Sequence, residues 1–147
     1  EIYMGDWSSD VCSSDLQRIP IVAPPDAKET IEKAMALQGL VPAIEVVSQQ
    51  KAFDAGDVRA RVYDFGPAPH VAQILGAYFP DEKLLYVADL LDVLTEQLVI
   101  AGVDAVPLRR KIHELGLDVQ RFVPVHGLPI SGEQLESAYR IRAKYLN

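Results

Sequence analysis

Residues 58–90, VRARVYDFGPAPHVAQILGAYFPDEKLLYVADL, carry the clearest secondary-structure pattern of this 147-residue chain. Apolar and polar side chains alternate at the start of this stretch, as they do in a strand with one exposed face. Two later runs are apolar and contain β-branched and aromatic residues, and turn-forming Pro, Gly and Asp separate the runs. The three predicted strands are Val58–Phe65, Ile74–Phe79 and Leu84–Ala88. A sheet built on these strands is the framework of the predicted fold.

The residues before this stretch predict a strand, a helix and an extended segment. Ile19–Ala23 is a short β-branched run that two prolines end. Asp26 is expected to cap the helix, with Glu29 completing a capping box, and Gly39 is expected to end it. Val41–Val47 should be extended because of its β-branched content. The apolar face of the helix would consist of Ala27, Ile31, Ala34 and Met35.

The residues after this stretch predict helices and one more strand. Leu90–Val103 is apolar, and we expect it to be helical. Asp104–Leu115 should form a helix that Gly116 ends, and Val119–Val125 should be a strand. Ser131, with a glutamine three residues later, should cap a last helix. The expected buried side of this helix is Leu135, Ala138, Tyr139 and Tyr145. Strands and helices therefore mix along the chain, and the predicted fold class is α/β (α+β).

Glu1–Leu16, EIYMGDWSSDVCSSDL, does not share the pattern of the rest of the chain. It holds four acidic residues, no basic residue, and the single Trp and Cys of the chain. It lacks the basic and apolar regions of a signal peptide. Residues 7–16 resemble the translation of a common sequencing adapter, TGG AGT TCA GAC GTG TGC TCT TCC GAT CT. We therefore interpret Glu1–Leu16 as a disordered, non-native tail and expect Gln17–Asn147 to be the C-terminal piece of a longer protein.

The composition disfavours several classes of function. The formal net charge of −7 argues against nucleic-acid binding, which needs basic side chains to neutralise phosphates. Hydrophobic residues make up 49% of the chain, so a packed core is expected. No apolar run has the length of a membrane span, and one Cys excludes an intrachain disulfide. We therefore expect neither a nucleic-acid partner nor a membrane partner.

Three polar residues are expected where strands end. His70 follows the first predicted strand through a Pro/Gly loop, Asp89 ends Leu84–Ala88, and His126 ends Val119–Val125. The carboxyl ends of strands gather ligands because rigid strands aim short loops into one crevice. His and Asp are common ligands of zinc and iron, although a single His at a strand end is more often a satisfied polar residue than a ligand, and Asp89 alone could cap the next turn. Together the three residues predict a metal site.

The other chemically active side chains are poorer candidates. His113 lies in a predicted helix among charged residues, so we expect it on a solvated face, together with the basic run Arg109–Lys111. The chain has no Gly-rich phosphate loop and no Ser-centred nucleophile elbow, and Cys12 lies in the tail. We therefore predict no catalytic residue beyond the metal ligands.

The segments that carry the three residues resemble the C-terminal half of the metallo-β-lactamase superfamily. Tyr63–Tyr78 is similar to the stretch with the third metal motif of the family, a single His. Phe79–Leu90 is similar to the hairpin that ends on the fourth motif, here Asp89. Phe122–Pro129 is similar to the fifth motif, a His before Gly. The order and approximate separation of the motifs match, and the likeness covers nearly all of Gln17–Asn147.

The resemblance implies a four-layer αββα sandwich, of which this chain is the C-terminal half, with two metal ions, usually zinc, at the edge of the sheets. His70 would bind the first ion, Asp89 would bridge both, and His126 would bind the second. A bridging hydroxide would attack an ester, thioester, lactam or lactone, since two cations lower its pKa. The Asp at the fourth motif resembles hydrolases such as glyoxalase II more than the lactamases with a Cys ligand.

The chain departs from the family in one large respect, because it contains no His-x-His-x-Asp-His cluster. In the family this cluster lies in the N-terminal half and supplies most of the ligands. Three residues shared between two ions fall short of the three protein ligands typical of a catalytic zinc. We therefore expect the intact parent to be a metallo-hydrolase that acts on a small molecule, and this chain alone to be inactive.

Two alternatives stay open. A redox or dioxygenase member of the same fold would use iron, or manganese could occupy the site, with similar ligand types. A non-catalytic α/β fragment would use His70, Asp89 and His126 only structurally. The sequence predicts neither the localisation nor the oligomeric state.

Overall fold

The computed structural model of the protein describes residues 20–69, 71–93, 95 and 100–145. The chain divides into two compact units, with the division between Val46 and Val47. The boundary expected between Leu16 and Gln17 lies outside the described residues. Within the described ranges, no helix is both long and apolar enough to cross a membrane.

The first unit is a strand–helix–strand segment. Strand β1 (Ile21–Ala23) pairs in parallel with β2 (Ile44–Val46), and helix α1 (Pro25–Ala36) connects them. The extended segments and the helix are confirmed. The expected capping box at Asp26 is wrong: Pro24 is the N-cap residue and no side chain caps the helix. Proline suits the first helical position because its φ is fixed near the helical value, so Asp26 falls inside the first turn.

Helix α1 ends where the sequence predicted, but its apolar face is less buried than predicted. Gly39, with φ of +71°, follows the helix as expected, since this left-handed conformation suits glycine. The expected apolar face is weaker than predicted. Every residue of α1 is described and none is buried, and Ala34 is exposed.

The second unit contains a sheet of six strands in the order β3-β4-β5-β6-β7-β8. The strands are β3 (Gln50–Ala55), β4 (Val58–Asp64), β5 (Leu75–Phe79), β6 (Leu84–Ala88), β7 (Arg121–Pro124) and β8 (Ile130–Ser131). Strands β6 and β7 are parallel, and the other neighbours are antiparallel. The carboxyl ends of β4, β6 and β7 consequently point to one edge of the sheet. The four central strands were predicted; the two edge strands, β3 and β8, were not.

Two helices of the second unit follow the predicted bounds closely. Helix α2 (Ala105–Leu115) ends at Gly116, which has φ of +62°, although Asp104 makes no side-chain capping hydrogen bond. Helix α3 (Gly132–Tyr145) starts at the predicted capping box. The Ser131 N–H donates to Gln134 Oε1 (2.8 Å), and the Gln134 N–H donates to Ser131 Oγ (3.2 Å).

Two predictions in the second unit were wrong. Buried loop residues were predicted to be helical, and one exposed residue was predicted to be buried. Leu90, Leu91 and Val93 are buried but not helical, so the predicted helix Leu90–Val103 is wrong where the structure describes it. Their apolar character reflects burial in the core rather than a helical period. Tyr145 is 66% exposed, contrary to expectation, whereas the other three residues predicted on its face are buried.

The contact between α2 and α3 predicts a pH-dependent stability. The Tyr139 hydroxyl donates to the Ala105 carbonyl oxygen, and burial raises the pKa of Tyr139 well above its ordinary value. A raised folded-state pKa contributes stability that is complete below the unfolded-state pKa of about 10 and is lost as the pH rises above it. We expect Tyr139→Phe to cost about 1 kcal/mol at neutral pH, because the hydrogen bond is lost, and this deficit to shrink above about pH 10.

Urea unfolding at neutral and alkaline pH measures this effect. Tyr145→Phe, which removes a hydroxyl from the exposed tyrosine of the same helix, is the matched control for the cost at neutral pH. A deficit of Tyr139→Phe that stays constant up to about pH 10.5 would contradict the prediction.

Candidate metal centre

The backbone at the end of β6 fixes the position of Asp89. Val87 is completely buried, so the strand is anchored in the core up to this point. Ala88 has φ of +46°, a left-handed conformation that non-glycine residues rarely adopt. The Leu90 N–H donates to the Val87 carbonyl oxygen (3.0 Å), which closes a turn around Ala88 and Asp89. A strained, anchored turn of this kind is typical of functional sites.

His126 reaches the same edge of the sheet from β7. The strand ends at the buried Pro124, and the Val125 N–H donates to the Ala88 carbonyl oxygen (3.2 Å). His126 comes next and is followed by Gly127, which has φ of +101°. Because β6 and β7 are parallel, their carboxyl ends deliver Asp89 and His126 side by side.

The loops after β6 and β7 cross at Val93 and Gly127. The Val93 N–H donates to the His126 carbonyl oxygen (3.3 Å), and the Leu128 N–H donates to the Val93 carbonyl oxygen (3.0 Å). A Cβ atom on residue 127 would lie 1.8 Å from the Val93 carbonyl oxygen, so a side chain cannot fit there without backbone movement. Glycine at position 127 therefore permits the close approach of the two loops.

The two side chains form a pair within the range of an ion pair. His126 Nε2 lies 3.6 Å from Asp89 Oδ1, and the side chains are 68% and 48% exposed. This distance is too long for a hydrogen bond. Asp89 Oδ1 is itself buried and has no hydrogen-bond partner among the described residues. A carboxylate oxygen left without a partner is unfavourable, and a bound cation would satisfy it. The donors present, one carboxylate and one imidazole, fit zinc or iron.

Tyr86 is a neighbour of the pair that sequence reasoning missed. It lies on β6 three residues before Asp89. Burial raises the pKa of Tyr86, and the negative charge of Asp89 raises it further. The hydroxyl therefore stays protonated at neutral pH and can donate a hydrogen bond. A tyrosine inside an apolar strand is typical of a core position, and no sequence signal distinguished it.

The third predicted ligand, His70, lies outside the described residues. The loop on either side of it is organised by Asp64, the last residue of β4. Its carboxylate accepts hydrogen bonds from the backbone N–H two residues later (2.7 Å) and from Gln73 Nε2 (2.9 Å). Ala68 and Val71 exchange two backbone hydrogen bonds of 3.0 and 3.2 Å. This loop follows β4, whose carboxyl end points to the same edge as those of β6 and β7.

The described residues contain no group of three or more His, Cys, Asp or Glu side chains placed to hold a metal ion. The structure thus brings together two of the three predicted ligands. Of the residues expected on a solvated face, His113, Arg109 and Arg110 are exposed, whereas Lys111 is half-buried. Arg109 forms an ion pair with Glu136 (2.8 Å). Cys12 lies outside the described residues.

Comparison with known proteins identifies the fold through solved structures. No protein-family model and no curated protein matches the chain. A metallo-beta-lactamase from Pontibacter korlensis is similar with a TM-score of 0.57 and 20% identity, over 87% of this chain and 60% of that one. The metal-soaked Flv1 flavodiiron core from Synechocystis sp. PCC6803 is similar with a TM-score of 0.65 and 18% identity, over 84% of this chain and 36% of that one. Rubredoxin oxygen:oxidoreductase from Desulfovibrio gigas is similar with a TM-score of 0.63 and 16% identity, over 86% of this chain and 37% of that one.

The chain has the metallo-β-lactamase fold. The predicted α/β class and the predicted fold are therefore confirmed. The chain spans between 36% and 60% of the length of the solved structures it matches. These structures include metallo-beta-lactamases and flavodiiron proteins, so the fold is one that metal-dependent enzymes use.

Proposed function

We propose that this chain is part of a metal-dependent hydrolase, in which Asp89, His126 and His70 are metal ligands. The observation that carries the proposal is the buried Asp89 Oδ1 atom, which has no hydrogen-bond partner among the described residues and lies 3.6 Å from His126 Nε2. A cation between carboxylate and imidazole would satisfy both groups. Because the chain spans only part of the structures it matches, the activity would belong to a longer protein.

The expected chemistry is the hydrolysis of an ester, thioester, lactam or lactone. A metal ion, when bound, supplies a Lewis acid and lowers the pKa of water. The turn at Ala88 holds the Asp89 carboxylate at the edge of the sheet, and the crossing after β7 holds the His126 imidazole beside it. Both ligand side chains are about half exposed or more, which leaves the edge accessible to a small-molecule substrate.

An iron-dependent redox enzyme is the second candidate, since two of the similar structures are a flavodiiron core and an oxygen oxidoreductase. His and carboxylate ligands suit iron as well as zinc. Metal analysis of the longer protein, purified without added metal, separates the two candidates. Bound zinc would favour the hydrolase, and bound iron would favour the redox enzyme.

Titration of the chain with Zn²⁺, followed by isothermal calorimetry, tests the ligand assignment. We expect weak binding and no hydrolysis by the chain alone, because it supplies too few ligands for a closed catalytic site. His126→Ala should lower the affinity by at least about tenfold. His113→Ala, which removes an exposed histidine from α2, is the matched control and should leave the affinity unchanged.

Three results would contradict the proposal. Equal zinc affinity of His126→Ala and the unmodified chain would remove His126 from the ligand set. A complete absence of zinc binding by the unmodified chain would argue against a metal site at this edge. Tight stoichiometric zinc binding with turnover would show that this chain already holds a complete site, contrary to the expected weak binding.

A further inference from the structure

We propose that Gly127 is a positioning residue that joins the Asp89 loop to the His126 loop, so that the two side chains keep a fixed separation. Its role toward a metal ion rests on the proposed function. The backbone crossing itself rests only on the contacts of Gly127 with Val93. The crossing lies directly after His126 and four residues after Asp89.

Two independent features require glycine at this crossing. The φ of +101° lies in a region that residues with a Cβ atom rarely adopt. The Cβ atom of any other residue would also meet the Val93 carbonyl oxygen at 1.8 Å and the Val93 carbonyl carbon at 2.4 Å. Both obstacles are backbone atoms, so a rotation of a flexible side chain cannot relieve them. A substitution at position 127 must therefore move one loop away from the other.

Such a movement would be transmitted directly to the ligand pair. The hydrogen bonds on both sides of the crossing involve the His126 carbonyl oxygen and the Leu128 N–H. Val93 is buried, so its side of the crossing is held by the core and the His126 side is expected to shift. Metal–ligand distances tolerate changes of only about 0.2 Å, which makes the pair sensitive to this shift.

Gly127→Ala tests the proposal, with two other glycines as controls. Gly102→Ala adds a methyl group in open space. Gly76→Ala adds one that would lie 2.5 Å from the Phe65 ring and 3.1 Å from the Tyr86 carbonyl oxygen, so it should lower stability without contact with Val93 or Gly127. Zinc affinity is measured by calorimetry on the full chain, at a temperature where each variant is folded. Amide hydrogen exchange of Val93 and Leu128 is measured by NMR.

We expect Gly127→Ala to lower zinc affinity by at least about tenfold and to accelerate exchange at Val93 and Leu128. Gly102→Ala should change neither, and Gly76→Ala should lower the unfolding midpoint without changing the zinc affinity of the folded chain. Zinc affinity of Gly127→Ala within about twofold of the unmodified chain would overturn the positioning role. If the unmodified chain binds no zinc, the proposed function fails. The exchange rates of Val93 and Leu128 still test whether Gly127 joins the two loops. Rates in Gly127→Ala equal to those of the unmodified chain would overturn that role.

A second pair of variants serves if Gly127→Ala does not fold. Leu128→Pro removes the N–H that donates to the Val93 carbonyl oxygen, at a residue that is 46% exposed. Leu128→Ala keeps this donor and is the matched control. The proline variant should show the faster exchange at Val93 and the weaker zinc binding, and the alanine variant should show neither. Identical behaviour of the two variants would overturn the proposal.

Discussion

Asp89→Asn is expected to lower the zinc affinity of the chain by at least about tenfold while leaving the stability of the metal-free protein unchanged or higher. Asparagine keeps the shape of the side chain, but its neutral amide is a much weaker ligand for a divalent cation than a carboxylate. The stability should not fall, because Asp89 Oδ1 is buried and has no hydrogen-bond partner among the described residues. Burying a neutral amide oxygen costs less free energy than burying a charged one.

Asp92→Asn is the matched control for this change. It removes the same charge from an exposed side chain three residues later. Zinc affinity would be measured by calorimetry, and stability by urea unfolding in the presence of a chelator. An equal loss of affinity in both variants would show that only the net charge matters. A clear loss of metal-free stability in Asp89→Asn would show that the carboxylate has a structural partner.

Leu85→Ala is expected to lower the free energy of unfolding by about 3 to 5 kcal/mol, the largest stability effect that we predict. Leu85 is completely buried on β6 and lies between Tyr78 on β5 and Phe122 on β7. Its truncation leaves a cavity in the middle of the sheet that a close-packed core cannot fill. Because domains have a total stability of about 5 to 15 kcal/mol, much of this chain would unfold at moderate temperature.

Leu84→Ala provides the comparison within the same strand. Leu84 is the neighbouring residue on the opposite face of β6 and is only partly buried. Urea unfolding of both variants, with the midpoint and the slope fitted together, gives the two free-energy changes. The cost at position 84 should be clearly smaller. Equal costs at the two positions would contradict the assignment of the core to the Leu85 face.

Local patterns predicted the elements that depend on local interactions. The alternation in VRARVYD and the apolar run LLYVA became strands β4 and β6, since the pattern of side chains along a strand records which face is buried. The capping box at Ser131 formed because its partner is three residues away. The capping box at Asp26 failed for an equally local reason, since the N-cap of α1 is Pro24, two residues earlier, and Pro25 is the first helical residue. The helix prediction failed at Leu90, Leu91 and Val93 because residues buried in a loop are as apolar as those on the buried face of a helix.

In the candidate site as well, local features were predicted from the sequence and long-range contacts were not. The sequence by itself determined that an Asp follows strand β6 and a His follows strand β7, whereas the parallel pairing of these strands came from the structure. Only the tertiary structure decided that Asp89 Oδ1 and His126 Nε2 lie 3.6 Å apart, that Ala88 turns the chain with a left-handed φ, and that Gly127 meets Val93. These features join residues that are distant along the chain, and contacts of that kind depend on how strands pack rather than on the pattern of neighbouring residues.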